Sequence, residues 1–329
     1  METASKDVLF TIAMDLDLPS LLRWCSSSSR INKNVCQNEN VWRSKLLQDY
    51  PNYQIFNLNK SLRETYVFLY QLSYIKKLLK TNKSLYEIFF REKIDLSSRG
   101  LKKVPAFDLP NLQILYLYGN QLREVPEFNL PKLQELLLSN NKLTTVPSFT
   151  LSNLQDLNLS NNSLSEVPTF DLPKLQMLSL GTNRLKQLPV FDLPNLREFY
   201  LSNNILSEIP AFDFPNLQIL NLSYNSLTKI PAFNLPNLQM LILAYNSLIE
   251  IPDLILPNLK KLSLSYNKLS KLPEFNLPNL RELRLSHNLL TDIPEFKLPL
   301  LQELYLDFND LTHENKNKIK AKYGYIVRL

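Results

Sequence analysis

The stretch Leu112-Gln113-Ile114-Leu115-Tyr116-Leu117-Tyr118-Gly119-Asn120-Gln121-Leu122-Arg123-Glu124-Val125-Pro126-Glu127-Phe128 decides the architecture of this chain. It is one copy of the unit Leu-Pro-x-Leu-x-x-Leu-x-Leu-x-x-Asn-x-Leu-x-x-x-Pro-x-Phe-x. The asparagine of that unit returns at 120, 141, 162, 183, 204, 225, 246, 267, 288 and 309, always in steps of 21. A fixed period of this length marks stacked units that share one continuous core. Leu115 and Leu117 are separated by one residue, so they share a face of a short strand. One strand per coil, stacked at about 4.8 Å, builds a parallel sheet. Asn120 ends the strand, and its amide is placed to satisfy backbone groups where the chain turns away. Leu122 and Val125 then point inward, and Phe128 fills the outer half of the coil.

Working outward, Phe recurs at 107, 128, 149, 170, 191, 212, 233, 275 and 296, with Leu254 as the one replacement. These rings are expected to stack into a continuous spine. Proline is frequent at 21 residues, glycine scarce at 4. One proline series (Pro105, Pro126, Pro147) follows the Val/Leu/Ile position, and a second (Pro110, Pro131, Pro173) precedes the strand, with Ser152 as an exception. Proline removes a backbone donor and disfavours helix in the residue before it. The outer side is therefore expected to be extended or polyproline-like, and the curvature gentle. Residues 94–107 form an imperfect first coil with Arg99 in the asparagine position. His313 to Tyr323 reads as a short polar helix. In the segment after it, Tyr325 and Val327 fall where the strand leucines are due, giving a C-terminal cap.

This pattern resembles the leucine-rich-repeat family over roughly residues 93–329. The resemblance implies an α/β fold class: a leucine-rich-repeat solenoid with a parallel β-sheet on its concave face and an extended convex side. It also implies a surface for binding protein. The outward strand positions vary while the frame does not. One column reads Tyr116, Leu137, Asn158, Ser179, Tyr200, Asn221, Ile242, Ser263, Arg284, Tyr305; its neighbour reads Ile114, Glu135, Asp156, Met177, Glu198, Ile219, Met240, Lys261, Glu282, Glu303. Ile219, Met240 and Ile242 form an apolar patch on adjacent coils, the composition favoured at interface centres. With Tyr200, and with the row Tyr224, Tyr245 and Tyr266 just before the asparagines, they are the candidate target-binding residues. Glu198, Lys261 and Glu282 would form the rim.

Nothing before residue 93 shows the period. Val8, Leu9, Ile12 and Leu16 have helical spacing. A second short helix follows Pro19 with Leu21, Leu22 and Cys25, and Val41, Trp42, Leu46 and Leu47 belong to a later one. Three or four short helices make a small core. The segments Asp7-Val8-Leu9, Leu16-Asp17-Leu18-Pro19-Ser20-Leu21-Leu22, Ser28-Ser29-Arg30-Ile31-Asn32 and Val41-Trp42 resemble an F-box over residues 5–47, most closely the F-box proteins of large DNA viruses of protists. Ser5-Lys6 stand where that family often opens with Leu-Pro. The resemblance implies docking onto a Skp-type adaptor of a cullin–RING ubiquitin ligase through Val8, Leu9, Ile12, Leu18, Leu21, Leu22 and Trp42. Leu62, Tyr66, Leu69, Leu72, Ile75 and Leu79 then fit one helical face. Lys76, Lys77 and Lys80 near its end suit the helix dipole. The connection to the first coil holds no Gly/Ser/Pro linker and is expected to be stiff.

Chemistry is absent from this pattern. The two histidines, His287 and His313, have no companion ligands at metal spacing, and two cysteines do not close a zinc site. No glycine-rich phosphate loop is present. The net charge of +6 is spread with mixed signs along the repeats, unlike the one-sided basic face of a nucleic-acid binder. Cys25 and Cys36 read as buried thiols of a reducing compartment. The first residues do not read as a signal peptide, and no apolar run approaches a membrane span.

The organisation expected from sequence is an F-box-like helical domain over 1–50, a helical connector over 51–92, about eleven repeats over 93–312 and a cap over 313–329. The expected protein is cytoplasmic (host cytoplasm if viral), not an enzyme, without cofactor or metal, not bound to nucleic acid or membrane, and a monomer outside its complex. Its function is that of a substrate-receptor subunit of a Skp–cullin–F-box ubiquitin ligase with an unidentified target protein. The alternative is a non-catalytic scaffold or decoy with no ubiquitin-ligase link.

Overall fold

A computed structural model describes residues 5–329. The chain forms two compact units. One comprises the residues up to Arg91 together with Pro105–Asn111; the other comprises Glu92–Val104 and Leu112–Leu329.

The second unit is a parallel β-solenoid. Its strands are β1 (Lys93–Asp95), β2 (Ile114–Tyr116), β3 (Glu135–Leu137), β4 (Asp156–Asn158), β5 (Met177–Ser179), β6 (Glu198–Tyr200), β7 (Ile219–Asn221), β8 (Met240–Ile242), β9 (Lys261–Ser263), β10 (Glu282–Arg284), β11 (Glu303–Tyr305) and β12 (Val327–Arg328). They lie side by side in sequence order. Leu115, Leu136 and Leu157 are direct register partners, so the period translates into stacking without slippage. In β1 to β11 the middle residue is buried and its neighbours are mostly half-buried. That alternation is expected of a sheet with one face on the core. Among the described residues no helix stands between β1 and β11. The outer side is turns and extended backbone, as the two proline series require.

Asparagine holds the coils together. Asn204 donates from Nδ2 to the Leu201 carbonyl of its own coil (3.1 Å) and to the Leu180 carbonyl of the preceding one (3.0 Å). Its Oδ1 accepts from the Leu185 amide at 3.0 Å. Asn225 repeats the set at 3.0 to 3.1 Å. Each bond satisfies a main-chain group that would otherwise be costly to bury. A second asparagine ladder lies at a position the repeat pattern leaves open. Asn153, Asn195, Asn216, Asn237, Asn258 and Asn279 each donate to the carbonyl of the proline 22 residues earlier, at 2.7 to 2.9 Å. Proline, which has no N–H to offer, thereby still takes part in the frame through its oxygen.

The phenylalanine spine is segmented rather than continuous. Rings stack from Phe128 through Phe149 and Phe170 to Phe191, at 5.9 to 6.3 Å. Phe199, which replaces a strand leucine, then bridges Phe191 and Phe212 edge-on at 5.9 and 5.7 Å. Phe212 and Phe233 stack at 6.5 Å, and Phe275 and Phe296 at 5.3 Å, on either side of Leu254. The cap departs from expectation at one residue. The helix His313–Tyr323 forms, but Val327 pairs with Leu304 while Tyr325 is 99 % exposed in the short 3-10 turn Gly324–Ile326. The helix makes this last coil two residues longer than the repeat, so Tyr325 loses the leucine column.

The first unit is helical: α1 (Lys6–Asp15), α2 (Leu18–Ser26), α3 (Ser29–Ile31), a π-helical turn (Asn32–Cys36), α4 (Glu39–Asp49), α5 (Leu62–Leu79) and α6 (Leu85–Phe89). The cap helix His313–Tyr323 is α7. Side chains fix the helix starts. Asp17 accepts from the Ser20 amide at 2.8 Å with Pro19 in the first turn, and Ser61–Glu64 and Ser84–Glu87 form capping boxes. Leu9, Leu18, Leu21, Ile31, Val35, Val41, Trp42 and Leu46 are its buried centre. The Trp42 indole donates to the Cys36 carbonyl at the end of the π-turn (2.9 Å). Lys45 is 3 % exposed; its ammonium donates to the Met14 carbonyl (2.9 Å) and pairs with Asp49 at 3.4 Å. Asp49 also accepts from the Tyr66 hydroxyl at 2.5 Å, and burial followed by that bond pushes the phenol pKa far up. The sequence reading of free thiols is corrected here. Cys25 and Cys36 are joined as a disulfide, with their Cα atoms 6.0 Å apart, because α2 and the π-turn bring the two side chains face to face.

Candidate functional site

The variable strand residues form one surface across the solenoid. Ile219 and Met240 are register partners on β7 and β8, and Ile242 sits one column over between Asn221 and Ser263. All three are half-buried, so the apolar patch read from sequence exists as a contiguous area. Tyr200 partners Asn221 at its margin, and its hydroxyl donates to Glu198 at 2.7 Å. Burial and then Glu198 push the Tyr200 phenol up to about 12. On the far side Lys261 pairs with Glu282 at 3.1 Å, and Arg284 also binds Glu282.

Toward the N-terminal coils the same face carries Glu198, read from sequence as part of the rim, and two carboxylates that repeat reading left out of the site, Glu135 and Asp156. Glu135, Asp156 and Glu198 stand on β3, β4 and β6, with Met177 of β5 between the last two. Glu135 accepts from the Tyr116 hydroxyl at 3.3 Å. Asp156 Oδ1 is buried without any hydrogen-bond partner. Desolvation, then the charges of Glu135 and Glu198, push its carboxyl up to about 6. The available signal in the sequence was three acids in one outward column with no lysine or arginine among them.

Tyr224, Tyr245 and Tyr266 do not join the apolar patch. They stack with His287 and Phe308 along the strand ends, at 4.0 to 4.2 Å and nearly parallel. Each of the five has a left-handed backbone near φ +55°, a conformation that costs free energy in residues with a Cβ. Parallel stacking offsets part of that cost. The rings hide their faces in one another and present edges and hydroxyls. Hydrogen bonds with Tyr266 and Tyr224 raise the central Tyr245 phenol to about 12.

In the helical unit the seven proposed docking residues divide. Leu9, Leu18, Leu21 and Trp42 are interior; Val8 is exposed, and Ile12 and Leu22 are half-buried. Among the described residues no group of three or more His, Cys, Asp or Glu is placed to hold a metal ion, and no helix is long and apolar enough to cross a membrane.

The family profile for leucine-rich repeats in two copies matches residues 110–151, 194–235, 215–256, 236–277 and 278–316, and a second leucine-rich-repeat profile matches 131–185. Together they cover more than half of the chain. The chain belongs to the leucine-rich-repeat family. No curated protein matches it. Among solved structures, this leucine-rich-repeat chain is similar to YopM, a leucine-rich effector protein of Yersinia pestis. The identity is 29% over 68% of this chain and 73% of that one, with a TM-score of 0.53. It is also similar to a chain from an octameric complex of latrophilin 3, Unc5D and the leucine-rich repeats of FLRT2. There the identity is 27% over 70% of this chain and 87% of that one, with a TM-score of 0.60. Leucine-rich repeats are protein-interaction modules, and neither family profile is that of a catalytic domain.

Proposed function

We propose that this protein is a substrate-receptor subunit of a Skp–cullin–F-box ubiquitin ligase, whose helical unit docks the adaptor and whose strand face captures a target protein. The supporting observation is the pairing in one chain of two parts. One is a module of short helices over 6–49 that leaves Val8, Ile12 and Leu22 at its surface. The other is a repeat array whose outward strand residues vary on a fixed frame. The F-box-like residues of the first part, and their likeness to F-box proteins of large DNA viruses of protists, supply the adaptor; ubiquitin transfer belongs to other subunits. Such a protein works in the cytoplasm, that of the host if the source is viral; cysteines there are ordinarily kept reduced, so this reading requires the Cys25–Cys36 bond to open in place.

A titration of the full chain with purified Skp-type adaptor tests this reading. Leu22→Asp, at a half-buried surface position, should abolish binding and leave the melting of the solenoid in place. Equal affinity of parent and variant would reject adaptor docking. The interior position of Leu9, Leu18, Leu21 and Trp42 favours a second reading, a scaffold in which the helical unit only completes the fold. On that reading Met240→Glu still removes target capture while Leu22→Asp does nothing to it.

A further inference from the structure

Resting on the reading that the strand face captures a target, the geometry points to a partner segment that is both cationic and apolar, its Lys or Arg side chains seated among Glu135, Asp156 and Glu198 and its aliphatic side chains on Met177, Ile219, Met240 and Ile242. The row across β3 to β8 reads acid, acid, apolar, acid, apolar, apolar, in parallel register throughout. At about 4.8 Å per strand the whole row spans about 24 Å, the length of some seven extended residues. Its two halves are therefore within reach of one peptide segment.

Charge complementarity names the occupant. Among the described residues no Lys or Arg comes within ion-pair distance of Glu135, Asp156 or Glu198. The one acid of the face that does have such partners is Glu282, further along. Their polar contacts within the chain are phenol hydroxyls: Tyr116 on Glu135 and Tyr200 on Glu198. Asp156 lacks even that, although one of its oxygens is out of contact with solvent. An ionised carboxylate held this way is unfavourable alone and favourable beside a cation. An anionic partner meets three like charges here and is rejected. The apolar half provides the area that a purely ionic contact lacks, since half-exposed ion pairs contribute little on their own. The groups that face Asp156 are Glu135 from β3, Met177 from β5 and Glu198 from β6; desolvation, then the charges of Glu135 and Glu198, favour its neutral form until a cation arrives. Binding of the cation should thus take hold as pH rises through 6.

The test uses the full chain and two nine-residue peptides, acetylated and amidated. One carries three arginines and three leucines spaced by serines; its twin has glutamate for each arginine. Isothermal titration at pH 7.5 should detect the arginine peptide and not the glutamate peptide. The triple variant Glu135→Gln, Asp156→Asn, Glu198→Gln should weaken arginine-peptide binding about tenfold, with Met240→Ala weakening it a few-fold. Lowering the pH to 5 should weaken binding to the parent more than to Asp156→Asn. Thermal melts of each variant check that the frame is intact. Equal binding of both peptides, no binding of either, or full affinity in the triple variant would overturn the inference. A photoreactive residue at 240 separates this failure from failure of the capture reading. If a specific crosslinked target survives the triple variant unchanged, capture stands and the cationic partner is wrong.

Discussion

Leu115 has Leu136 as its neighbour, and Leu136 has Leu157; each position of the solenoid meets a copy of itself one coil away. Trp42 has no such copy. Its indole reaches the Cys36 carbonyl, and its ring lies 5.7 Å from that of Tyr66, contacts made once in the chain. The first kind of packing spreads stability over many equivalent interfaces. The second concentrates it in a small core, where one side chain supports several helices. Damage should accordingly stay local in the solenoid and become general in the helical unit.

The largest effect should come from Trp42→Ala. Loss of a fully buried indole costs about 3–5 kcal/mol, comparable to the whole stability of so small a module. Hydrogen exchange should become fast across residues 5–49 and stay slow in β2 to β10. A uniform rise over the whole chain would show that the two regions unfold as one and dissolve the contrast. Phe191→Ala should cost a similar ~3–5 kcal/mol, through the stack with Phe170 and the edge contact with Phe199. Because neighbouring coils persist, its circular dichroism should remain that of the parent, with only the melting temperature lowered. The two asparagine ladders sharpen the point. Asn204→Ala leaves buried backbone groups unpaired and should lose about 1–3 kcal/mol, whereas Asn195→Ala, at an exposed site, should lose under about 1 kcal/mol. Equal losses in denaturant titrations would mean that the proline-linked ladder carries as much of the frame as the inner one.

A further small effect has the opposite sign. The Asp156 carboxyl sits at about 6 in the folded chain against an ordinary value of 3.8, so its ionisation opposes folding. A displacement of this size corresponds to ~3 kcal/mol in full, reduced to about 1 kcal/mol by partial solvent access. Below pH 4 both folded and unfolded forms are protonated and nothing is lost. The penalty grows between pH 4 and 6 and is complete above 6. Asp156→Asn should therefore stabilise the protein at pH 7 and leave it unchanged at pH 4. A gain that does not depend on pH would assign it to packing rather than charge.

What could be read ahead follows the same contrast. Strand positions, the inner asparagines and the helix His313–Tyr323 were legible because each is either periodic or locally capped. The outer asparagine ladder was hidden by its interruptions at Lys132, Lys174 and Leu300, and Tyr325 by a two-residue change of phase in the cap. In the helical unit the face of α5 was legible from spacing, and Tyr66, Leu69, Leu72 and Ile75 are buried as expected. The pairing of Cys25 with Cys36 and the burial of Lys45 against Met14 depend on how separate helices meet, which no local period records. On the strand face the apolar patch was legible as residue types in a column. The isolation of Asp156 was not, because it rests on which side chains fail to reach it.

The frame bonds of the asparagines run in one direction. Asn204 closes the coil before it, and Asn225 closes the coil of Asn204. A coil is thus finished by its successor, in the way a sentence in some languages waits for its verb. Removing one whole 21-residue unit from the middle leaves an open coil facing an asparagine of the same kind, and adding one does likewise. The length of the array is therefore quantised and inheritable as duplications and deletions of a single module. Such changes would slide the acidic stretch of the strand face nearer to, or further from, the apolar one without rewriting either.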